Sequence, residues 1–175
     1  LRLGDPYRED VDLGPIVNER QLARVDDIVR RSVDGGARAL VGATHEGLFY
    51  RPTVLADVTT SLPAWTDEIF GPVAPVVTFD TDEEALALAN DSEYGLAGGV
   101  YSRSISRGLA LAQRMRAGMV HVNDQTINDE ATIPFGGMGA SGNGTRYGGE
   151  ANLETFTEWQ WVTVRDEPKS FPFPY

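Results

Sequence analysis

The chain has 175 residues, of which 41% are hydrophobic, and a formal net charge of −11. Its length predicts about one folded domain with a substantial core, and its negative charge argues against nucleic acid as a partner, because phosphates are bound by clustered Lys and Arg. It contains no cysteine, which excludes a disulfide, a thiolate metal site and a thiol nucleophile.

Nothing in the sequence predicts a membrane protein or a metal site. No stretch approaches the roughly 18 uncharged apolar residues of a membrane span, and the first residues have no signal-peptide pattern, so we expect a cytoplasmic protein. The two histidines, His45 and His121, lie far apart and lack the spacing of metal ligands. Leu1–Pro6 already has the pattern of a strand followed by a turn, and we therefore expect the sequence to be a piece of a longer chain.

Apolar periodicity predicts helices and strands in alternation. Asn18 and Gln21 form a capping-box pattern that opens a first helix, and Thr81 and Glu84 repeat this pattern for a second one. The other predicted elements are a helix over 104–116 and strands at 39–42, 49–55, 73–79, 98–101 and 119–123. Strands separated by helices of roughly 10–15 residues favour an α/β fold with a mainly parallel sheet and flanking helices.

The C-terminal part of the chain has a different pattern. The stretch 124–154 is rich in Gly, Asn and Thr and has no periodicity, which is typical of a functional loop or of disorder. In the segment Trp159–Val164, one set of side chains, Trp159, Trp161 and Thr163, alternates with Gln160, Val162 and Val164, which predicts an exposed strand able to pair with another chain. Residues 167–175 are expected to form an extended, loosely held tail.

The hexapeptide Glu68–Val73 places a carboxylate and an aromatic ring just before a stiff turn. Pro72 has a fixed φ and no N–H, and it directs Gly71 away from helical geometry. An ionised Glu68 can accept hydrogen bonds from two neighbouring hydroxyls, such as those of a ribose, and Phe70 offers a flat face to a planar ring. Taken alone, the hexapeptide favours a simpler interpretation, in which Phe70 belongs to the core and Glu68 is a solvated turn residue.

The segment Gly137–Gly142 matches the dinucleotide-binding pattern G-x-G-x-x-G letter for letter. That fingerprint requires a strand directly before it and a helix that begins at its last glycine. The flanking residues 134–136 and 143–149 predict neither element. We therefore interpret the match as a consequence of the high glycine content.

Two groups of polar side chains are not predicted to form a catalytic site. Asp124, Asp129 and Glu130 have neither the spacing of a calcium loop nor the apolar surroundings that would raise a carboxyl pKa. Ser102, Ser104 and Ser141 have no nearby His to activate them. We expect the three carboxylates to be solvated loop residues.

Several blocks of the sequence together resemble the NAD(P)-dependent aldehyde dehydrogenase superfamily. Glu68–Val73 is similar to the nicotinamide-side motif of that family, and Pro134–Gly137 followed by Ser141-Gly142 is similar to its C-terminal glycine-rich motif. Further similar blocks occur in the family's order at Gly4–Pro6, Gly14-Pro15, Ala89-Asn90, Tyr94–Leu96, and Gly118–Val120 with Asn123. The resemblance covers residues 1–165, and several blocks in register are far more specific than any one of them.

The resemblance implies roles for individual residues. Glu68 would bind the ribose hydroxyls on the nicotinamide half of the cofactor, and Phe70 would pack against the nicotinamide. The loop before the glycine-rich motif would line the aldehyde entrance, with Ile127, Ile133 and Phe135 as substrate-binding residues.

Two features narrow the expected subfamily. Many members carry a Lys two residues after the second Gly of Pro-Phe-Gly-Gly, whereas this sequence has Gly139 there. The segment 123–130 together with the following Pro-Phe-Gly-Gly is most similar to the benzaldehyde and vanillin dehydrogenase branch. The expected substrate is therefore an aromatic aldehyde.

The mechanism of the family needs groups that this chain lacks. A Cys thiolate attacks the aldehyde to give a thiohemiacetal, a hydride passes to NAD(P)+, and a Glu base activates water. The resemblance places the Cys, the base and the dinucleotide-binding domain before Leu1. It thus implies the C-terminal part of an enzyme that oxidises an aldehyde to its acid, with no catalytic residue of its own. Alone, the chain is expected to be inactive and to bind no cofactor tightly; the parent would use NAD, with NADP as the alternative.

The resemblance also implies a domain organisation and a partner. Residues 1–150 would be a partial catalytic domain without its nucleophile, and residues 151–166 would be a C-terminal segment. That segment would contain Trp159–Val164 as an oligomerisation strand that completes a sheet across subunits, so a homo-oligomer is expected.

Two other interpretations stay open. In one, the chain is a self-standing ligand- or partner-binding domain derived from the same fold, without catalysis. In the other, it is an independent dinucleotide-binding module that uses Gly137–Gly142.

Overall fold

The structure is a computed structural model that describes residues 1–168. The chain divides into two compact units, Leu1–Ala85 and Leu86–Tyr175, where its length predicts about one domain. Most of the predicted tail, 167–175, lies outside the described residues. No helix within the described range is long and apolar enough to cross a bilayer.

Helix α1, Glu19–Asp34, is the main helix of the first unit. Asn18 caps its beginning, since its side-chain oxygen accepts a hydrogen bond of 2.9 Å from the backbone N–H of Gln21. Side chains spaced three and four residues apart give the helix one buried face. This face consists of Leu22, Val25, Ile28, Val29 and Ser32.

Five short strands accompany this helix in the first unit. Strands β1, Arg38–Val41, and β4, Thr53–Ala56, pair antiparallel, and β5, Val73–Pro75, adds to β4 in parallel. A small hairpin of β2, His45–Glu46, and β3, Phe49–Tyr50, separates β1 from β4 along the chain. The core of the unit lies where the buried face of α1 meets side chains of β3 and β4.

The connection between the parallel strands β4 and β5 passes through a short helix, α2, Pro63–Thr66. Buried Ser32 fastens α2 to α1, because its hydroxyl donates to the carbonyl of Ile28 at 2.7 Å and accepts from the N–H of Ala64 at 2.9 Å. After α2 the chain runs through Glu68 and the residues that follow into β5. The crossover therefore delivers the predicted cofactor-binding residues to the entrance of β5.

The second unit begins within helix α3, Asp82–Asn90. Thr81 accepts a hydrogen bond from the N–H of Glu84 at 3.2 Å, as its capping pattern predicts. Strands β6, Ala97–Val100, and β7, Met119–Val122, pair in parallel, and helix α4, Ile105–Ala112, forms the crossover that parallel strands require.

The residues after β7 are mostly irregular, as the sequence predicts. They contain a single turn of 3-10 helix, Gly139–Ser141, and a short helix α5, Ala151–Phe156. The predicted strand Trp159–Val164 is not formed within residues 1–168. A strand requires a partner for its backbone groups, and in the described part of the chain this segment has no strand partner.

The prediction of one mainly parallel sheet is only partly met. The α/β content is present, but the described residues form three small sheets with two parallel and two antiparallel pairings. The predicted strand 73–79 extends only over Val73–Pro75, and the N–H of Val76 makes the next hydrogen bond, of 2.8 Å, to the carbonyl of Leu55. The turn from β1 through the β2–β3 hairpin returns β4 antiparallel to β1, which apolar periodicity alone does not reveal.

Candidate functional site

Two long side chains of helix α1 fasten the segment that begins at Glu68. Arg24 donates from Nη2 to the carbonyl oxygen of Glu68 at 3.1 Å. Gln21 donates from Nε2 to the carbonyl oxygen of Phe70 at 3.1 Å and to that of Ile69 at 3.3 Å. Because the adjacent face of α1 is buried in the core, these bonds tie the segment to a rigid element.

Phe70 has a left-handed backbone conformation, with φ at +51°. This region is unfavourable for a bulky side chain and persists only where the surroundings enforce it. Here Ile69 is buried, with 8% of its surface exposed, whereas Phe70 is 76% exposed. The interpretation in which Phe70 belongs to the core is therefore wrong: the chain turns sharply after Ile69 and presents the next ring to solvent.

The residues after Phe70 pack closely against α1 and β4. A Cβ on Gly71 would lie 2.7 Å from Cγ2 of the buried Val25, so only glycine allows this approach. The carbonyl of Pro72 accepts a hydrogen bond of 2.8 Å from the N–H of Thr53 in β4. The segment is thus held from both sides, by α1 before the proline and by β4 after it.

This arrangement presents a carboxylate and an aromatic ring on a fixed backbone. The side chain of Glu68 is exposed, and its carboxylate has no hydrogen-bond or ion-pair partner among residues 1–168. Its two oxygens are free to accept hydrogen bonds from a pair of vicinal hydroxyls. A ligand that combines a diol with a planar ring fits these two side chains.

The supporting residues Gln21 and Arg24 were not predicted from the sequence. The pattern of Asn18 with Gln21 indicates a reciprocal capping box, but only the bond from the Gln21 N–H to Asn18 forms. The side chain of Gln21 turns away from the helix terminus to the 68–70 backbone instead. No sequence signal reports this contact, because its partners lie 48 and 49 residues away.

In the second unit, the predicted substrate-binding residues lie in the loop that follows β7. Ile127 and Ile133 are both exposed and offer apolar surface. Phe135 is half-buried, and its ring lies 5.1 Å from that of Tyr147. The backbones of these two aromatic residues exchange hydrogen bonds of 2.7 and 3.0 Å, so the end of the loop is fixed at Phe135.

The beginning of the same loop is fixed by Asn123, which the sequence placed at the end of a strand and in a block similar to the family pattern. Its backbone is left-handed, with φ at +60°, a conformation that Asn tolerates well. Its side-chain amide accepts from the N–H of Ser102 at 2.7 Å and donates to the carbonyl of Ser102 at 2.9 Å. Both ends of the loop are therefore anchored.

The loop carboxylates do not form an acid–base pair or a metal site. Asp124 accepts hydrogen bonds from the N–H of Gln125 and the amide of Asn128, and these bonds lower the pKa of its carboxyl group. It therefore stays ionised at neutral pH. The described residues contain no group of three His, Asp or Glu side chains placed to hold a metal ion.

The geometry of Gly137–Gly142 argues against a phosphate-binding loop. The N–H of Met138 donates to the carbonyl of Gly95, and the N–H of Ala140 donates to the carbonyl of Glu93, both at 2.8 Å. A phosphate cradle needs such N–H groups free. The glycines are explained by close packing within the turn, since a Cβ on Gly137 would lie 2.2 Å from the carbonyl oxygen of Ser141.

The sequence matches the model of the aldehyde dehydrogenase family over residues 1–162. Among curated relatives, it is 48% identical over 173 residues to benzaldehyde dehydrogenase [NAD(+)] from Pseudomonas putida, a match that covers 99% of this chain and 36% of that protein. It is 50% identical over 174 residues to vanillin dehydrogenase from an Amycolatopsis species, again with 99% and 36% covered. The chain thus spans about a third of the length of these relatives.

Solved structures give the same result. An aldehyde dehydrogenase from Mycobacterium tuberculosis, complexed with NAD+, superposes with a TM-score of 0.85 at 36% identity, over 90% of this chain and 33% of that one. A double mutant of betaine aldehyde dehydrogenase from Staphylococcus aureus, in complex with NAD+, superposes with a TM-score of 0.91 at 31% identity, over 98% and 36%. The family match covers far more than half of the sequence, and the chain belongs to the aldehyde dehydrogenase family.

Proposed function

We propose that this chain is the nicotinamide-binding side of an aldehyde dehydrogenase that oxidises an aromatic aldehyde to its carboxylic acid with NAD(P)+. Family membership supports the reaction class. The names of the relatives, benzaldehyde and vanillin dehydrogenase, support the aromatic substrate. Complexes of structural relatives with NAD+ support a nicotinamide cofactor.

The observation that carries the proposal is the presentation of Glu68 and Phe70. An exposed carboxylate, which has no partner among residues 1–168, and an exposed ring lie on a backbone that α1 and β4 hold in place. Glu68 would accept hydrogen bonds from both ribose hydroxyls, and Phe70 would lie against the nicotinamide ring. When bound, the cofactor supplies the acceptor for the hydride that leaves the substrate.

The chain's own residues would bind and orient, and they would not react. No cysteine is present, so a thiohemiacetal cannot form on these 175 residues. The nucleophile and the general base would therefore lie elsewhere in a longer polypeptide. We expect the isolated chain to be inactive and to bind the cofactor weakly, because one diol and one ring contact cannot replace the contacts of a complete dinucleotide site.

Ile127, Ile133 and Phe135 would supply apolar surface to the aldehyde's ring. Their loop is anchored at both ends, by Asn123 and by the pairing of Phe135 with Tyr147. An anchored loop loses little conformational entropy when it receives a ligand. The exposed segment Trp159–Val164 would pair with another subunit, so the parent would be a homo-oligomer. The parent would be cytoplasmic, and this chain would contribute a partial catalytic domain over 1–150 and a C-terminal segment over 151–166.

A chimera tests this proposal directly. The aligned third of the P. putida benzaldehyde dehydrogenase would be replaced by this chain, and benzaldehyde oxidation with NAD+ would be measured. We expect activity, and we expect Glu68→Gln to raise the KM for NAD+ about tenfold, as the loss of a charge-assisted hydrogen bond predicts. Glu9→Gln, which alters an exposed turn, is the matched control.

Two results would contradict the proposal. Aldehyde oxidation by the isolated 175-residue chain would show that the reaction does not need a nucleophile outside this chain. A chimera that is folded by circular dichroism, yet neither binds NAD+ nor turns over, would favour the alternative function, a non-catalytic binding domain derived from the same fold.

A further inference from the structure

Two peptide planes flank Phe70 in the segment that presents Glu68 and Phe70. Ile69 is held on one side by burial in the core, and Gly71 is held on the other by close packing, since a Cβ there would lie 2.7 Å from Cγ2 of Val25. A rotation of the Ile69–Phe70 plane would change φ of Phe70 and redirect its ring. A rotation of the Phe70–Gly71 plane would change ψ of Phe70 and φ of Gly71.

Gln21 donates to one carbonyl oxygen on each of these planes. Its Nε2 lies 3.1 Å from the carbonyl oxygen of Phe70 and 3.3 Å from that of Ile69. An amide –NH₂ group has two donors and can satisfy both acceptors. If either plane rotated, the two acceptors would no longer face the same donor. The left-handed φ of Phe70 would lose its support if the Ile69–Phe70 plane rotated.

The side chain of Gln21 has this role because its backbone position is already fixed. Gln21 lies in the first turn of α1, where Asn18 binds its N–H, and the next residue, Leu22, is buried. The side chain of a Gln at this helix position usually bonds to the backbone N–H of the N-cap residue. Here it bonds to the carbonyls of Ile69 and Phe70 instead. Neither the fold of α1 nor its cap requires that contact.

We propose that Gln21 is a positioning residue that locks the two peptide planes that flank Phe70 and thereby holds Glu68 and Phe70 in the orientation that receives the cofactor. The inference rests on the proposed function, which supplies the ligand. It goes further, since it assigns the geometry of the site to a side chain that need not touch that ligand.

The test uses the full 175-residue chain and solution NMR. Three-bond backbone couplings report φ of Phe70, and titration with nicotinamide mononucleotide, which carries the ring and the ribose diol, reports binding through the amide shifts of Glu68 and Phe70. We expect Gln21→Met, which keeps the length of the side chain and removes both donors, to shift the couplings of Phe70 away from the left-handed value. We expect it to weaken nucleotide binding about fivefold. The net contribution of one hydrogen bond is lost, which lowers the fraction of molecules whose site has the binding conformation, and the apparent affinity falls with that fraction.

Two variants complete the design. Gln21→Lys keeps a donor at the end of the side chain and should restore the couplings and most of the affinity. Gln113→Met, at an exposed Gln that follows α4 in the second unit, should change neither quantity.

Each outcome separates the inference from the proposed function. Unchanged couplings and affinity in Gln21→Met would overturn the inference and leave Glu68 and Phe70 as the cofactor site. Changed couplings with unchanged affinity would reduce Gln21 to a structural residue and overturn its positioning role. If the unaltered chain shows no shift at Glu68 or Phe70 with the mononucleotide, the cofactor site itself is wrong, and the positioning role falls with it.

Discussion

The side-chain amide of Gln21 donates a 3.1 Å hydrogen bond to the carbonyl oxygen of Phe70, across 49 residues of sequence. It joins the first turn of α1 to a residue whose φ is +51°. An exposed aromatic residue is thereby kept in a conformation that is unfavourable for it. The backbone conformation that presents the Phe70 ring to solvent therefore lowers the stability of the fold. Single substitutions can change the stability and the presentation of the ring separately.

Gly71→Ala should destabilise the first unit. The added methyl group would lie 2.7 Å from Cγ2 of Val25, which is fully buried, so either α1 or the segment must move. We expect a loss of about 1–3 kcal/mol in the free energy of unfolding, as for other overpacked sites, measured by chemical denaturation. Gly14→Ala is the control, because its new methyl group would meet Pro6 at an ordinary 3.5 Å. Equal losses in the two variants would show that the contact with Val25 is not tight.

Phe70→Asn should stabilise the chain and impair the proposed site. Asn tolerates a left-handed backbone better than Phe does, and the Phe ring gives up little burial because 76% of it is exposed. We expect the free energy of unfolding to rise by about 0.5–1 kcal/mol. Phe156→Asn, at an equally exposed Phe within helix α5, should be neutral or destabilising. A destabilising Phe70→Asn would mean that the ring packs against the protein in solution.

Ser32→Ala should weaken the junction of α1 with α2. The Ser32 hydroxyl is fully buried and accepts from the N–H of Ala64, and its removal leaves that donor without a partner. Such a group costs about 1–3 kcal/mol. Faster hydrogen exchange at the Ala64 amide would locate the effect. Ser61→Ala, at an exposed serine, should cost less than about 0.5 kcal/mol, and a similar cost at both positions would contradict the bridging role.

The helices α1, α3 and α4 could be predicted because their signals are local, whereas the short helices α2 and α5 were not predicted. The spacing of Leu22, Val25 and Ile28 predicts the buried face of α1. Ser104 caps α4 by accepting a hydrogen bond from the N–H of Arg107, which is also a short-range pattern. The resemblance of Glu68–Val73 to a known motif likewise needs only neighbouring residues. Capping patterns, apolar periodicity and sequence motifs all depend on residues that are close together in the sequence.

The features that could not be predicted depend on distant partners. The direction of the Gln21 side chain is decided by a segment 48 residues away, and the left-handed φ of Phe70 by burial of its neighbour Ile69. The alternation in Trp159–Val164 indicates a capacity to pair, but pairing needs another strand. The sequence therefore indicates residues for a candidate site, but it does not predict what holds them in place.

Tyr50 should make the first unit sensitive to alkaline pH. Burial, with a smaller contribution from the charge of Asp26, raises the pKa of its phenol from 10.0 to about 12. Since the folded state holds this proton more tightly, stability should be constant below pH 10 and should fall between pH 10 and 12, by on the order of 2 kcal/mol. Tyr50→Phe should remove most of this fall.

The same substitution should not cost stability at neutral pH. The Tyr50 hydroxyl is buried and has no hydrogen-bond partner within the described residues, so the loss of this oxygen removes an unpaired polar group. Tyr7→Phe, at an exposed tyrosine, should leave the alkaline fall unchanged. A Tyr50→Phe variant that unfolds more easily at pH 7 would show that the hydroxyl finds a partner in solution.

The segment Trp159–Val164 should drive self-association of the chain. Trp159 is 103% and Trp161 93% exposed, and Val162 and Val164 are exposed as well. A stretch with this much apolar surface and unpaired backbone groups is a template for pairing with a second copy.

Light scattering should give a mass above that of the monomer, and Trp161→Glu should weaken association about thirtyfold or more, as for other aromatic residues central to an interface. Gln160→Glu adds the same charge on the opposite face of an extended segment and should have a smaller effect. A monomeric mass for the unaltered chain would contradict the prediction, and equal effects of the two substitutions would show that charge, rather than the indole ring, controls association.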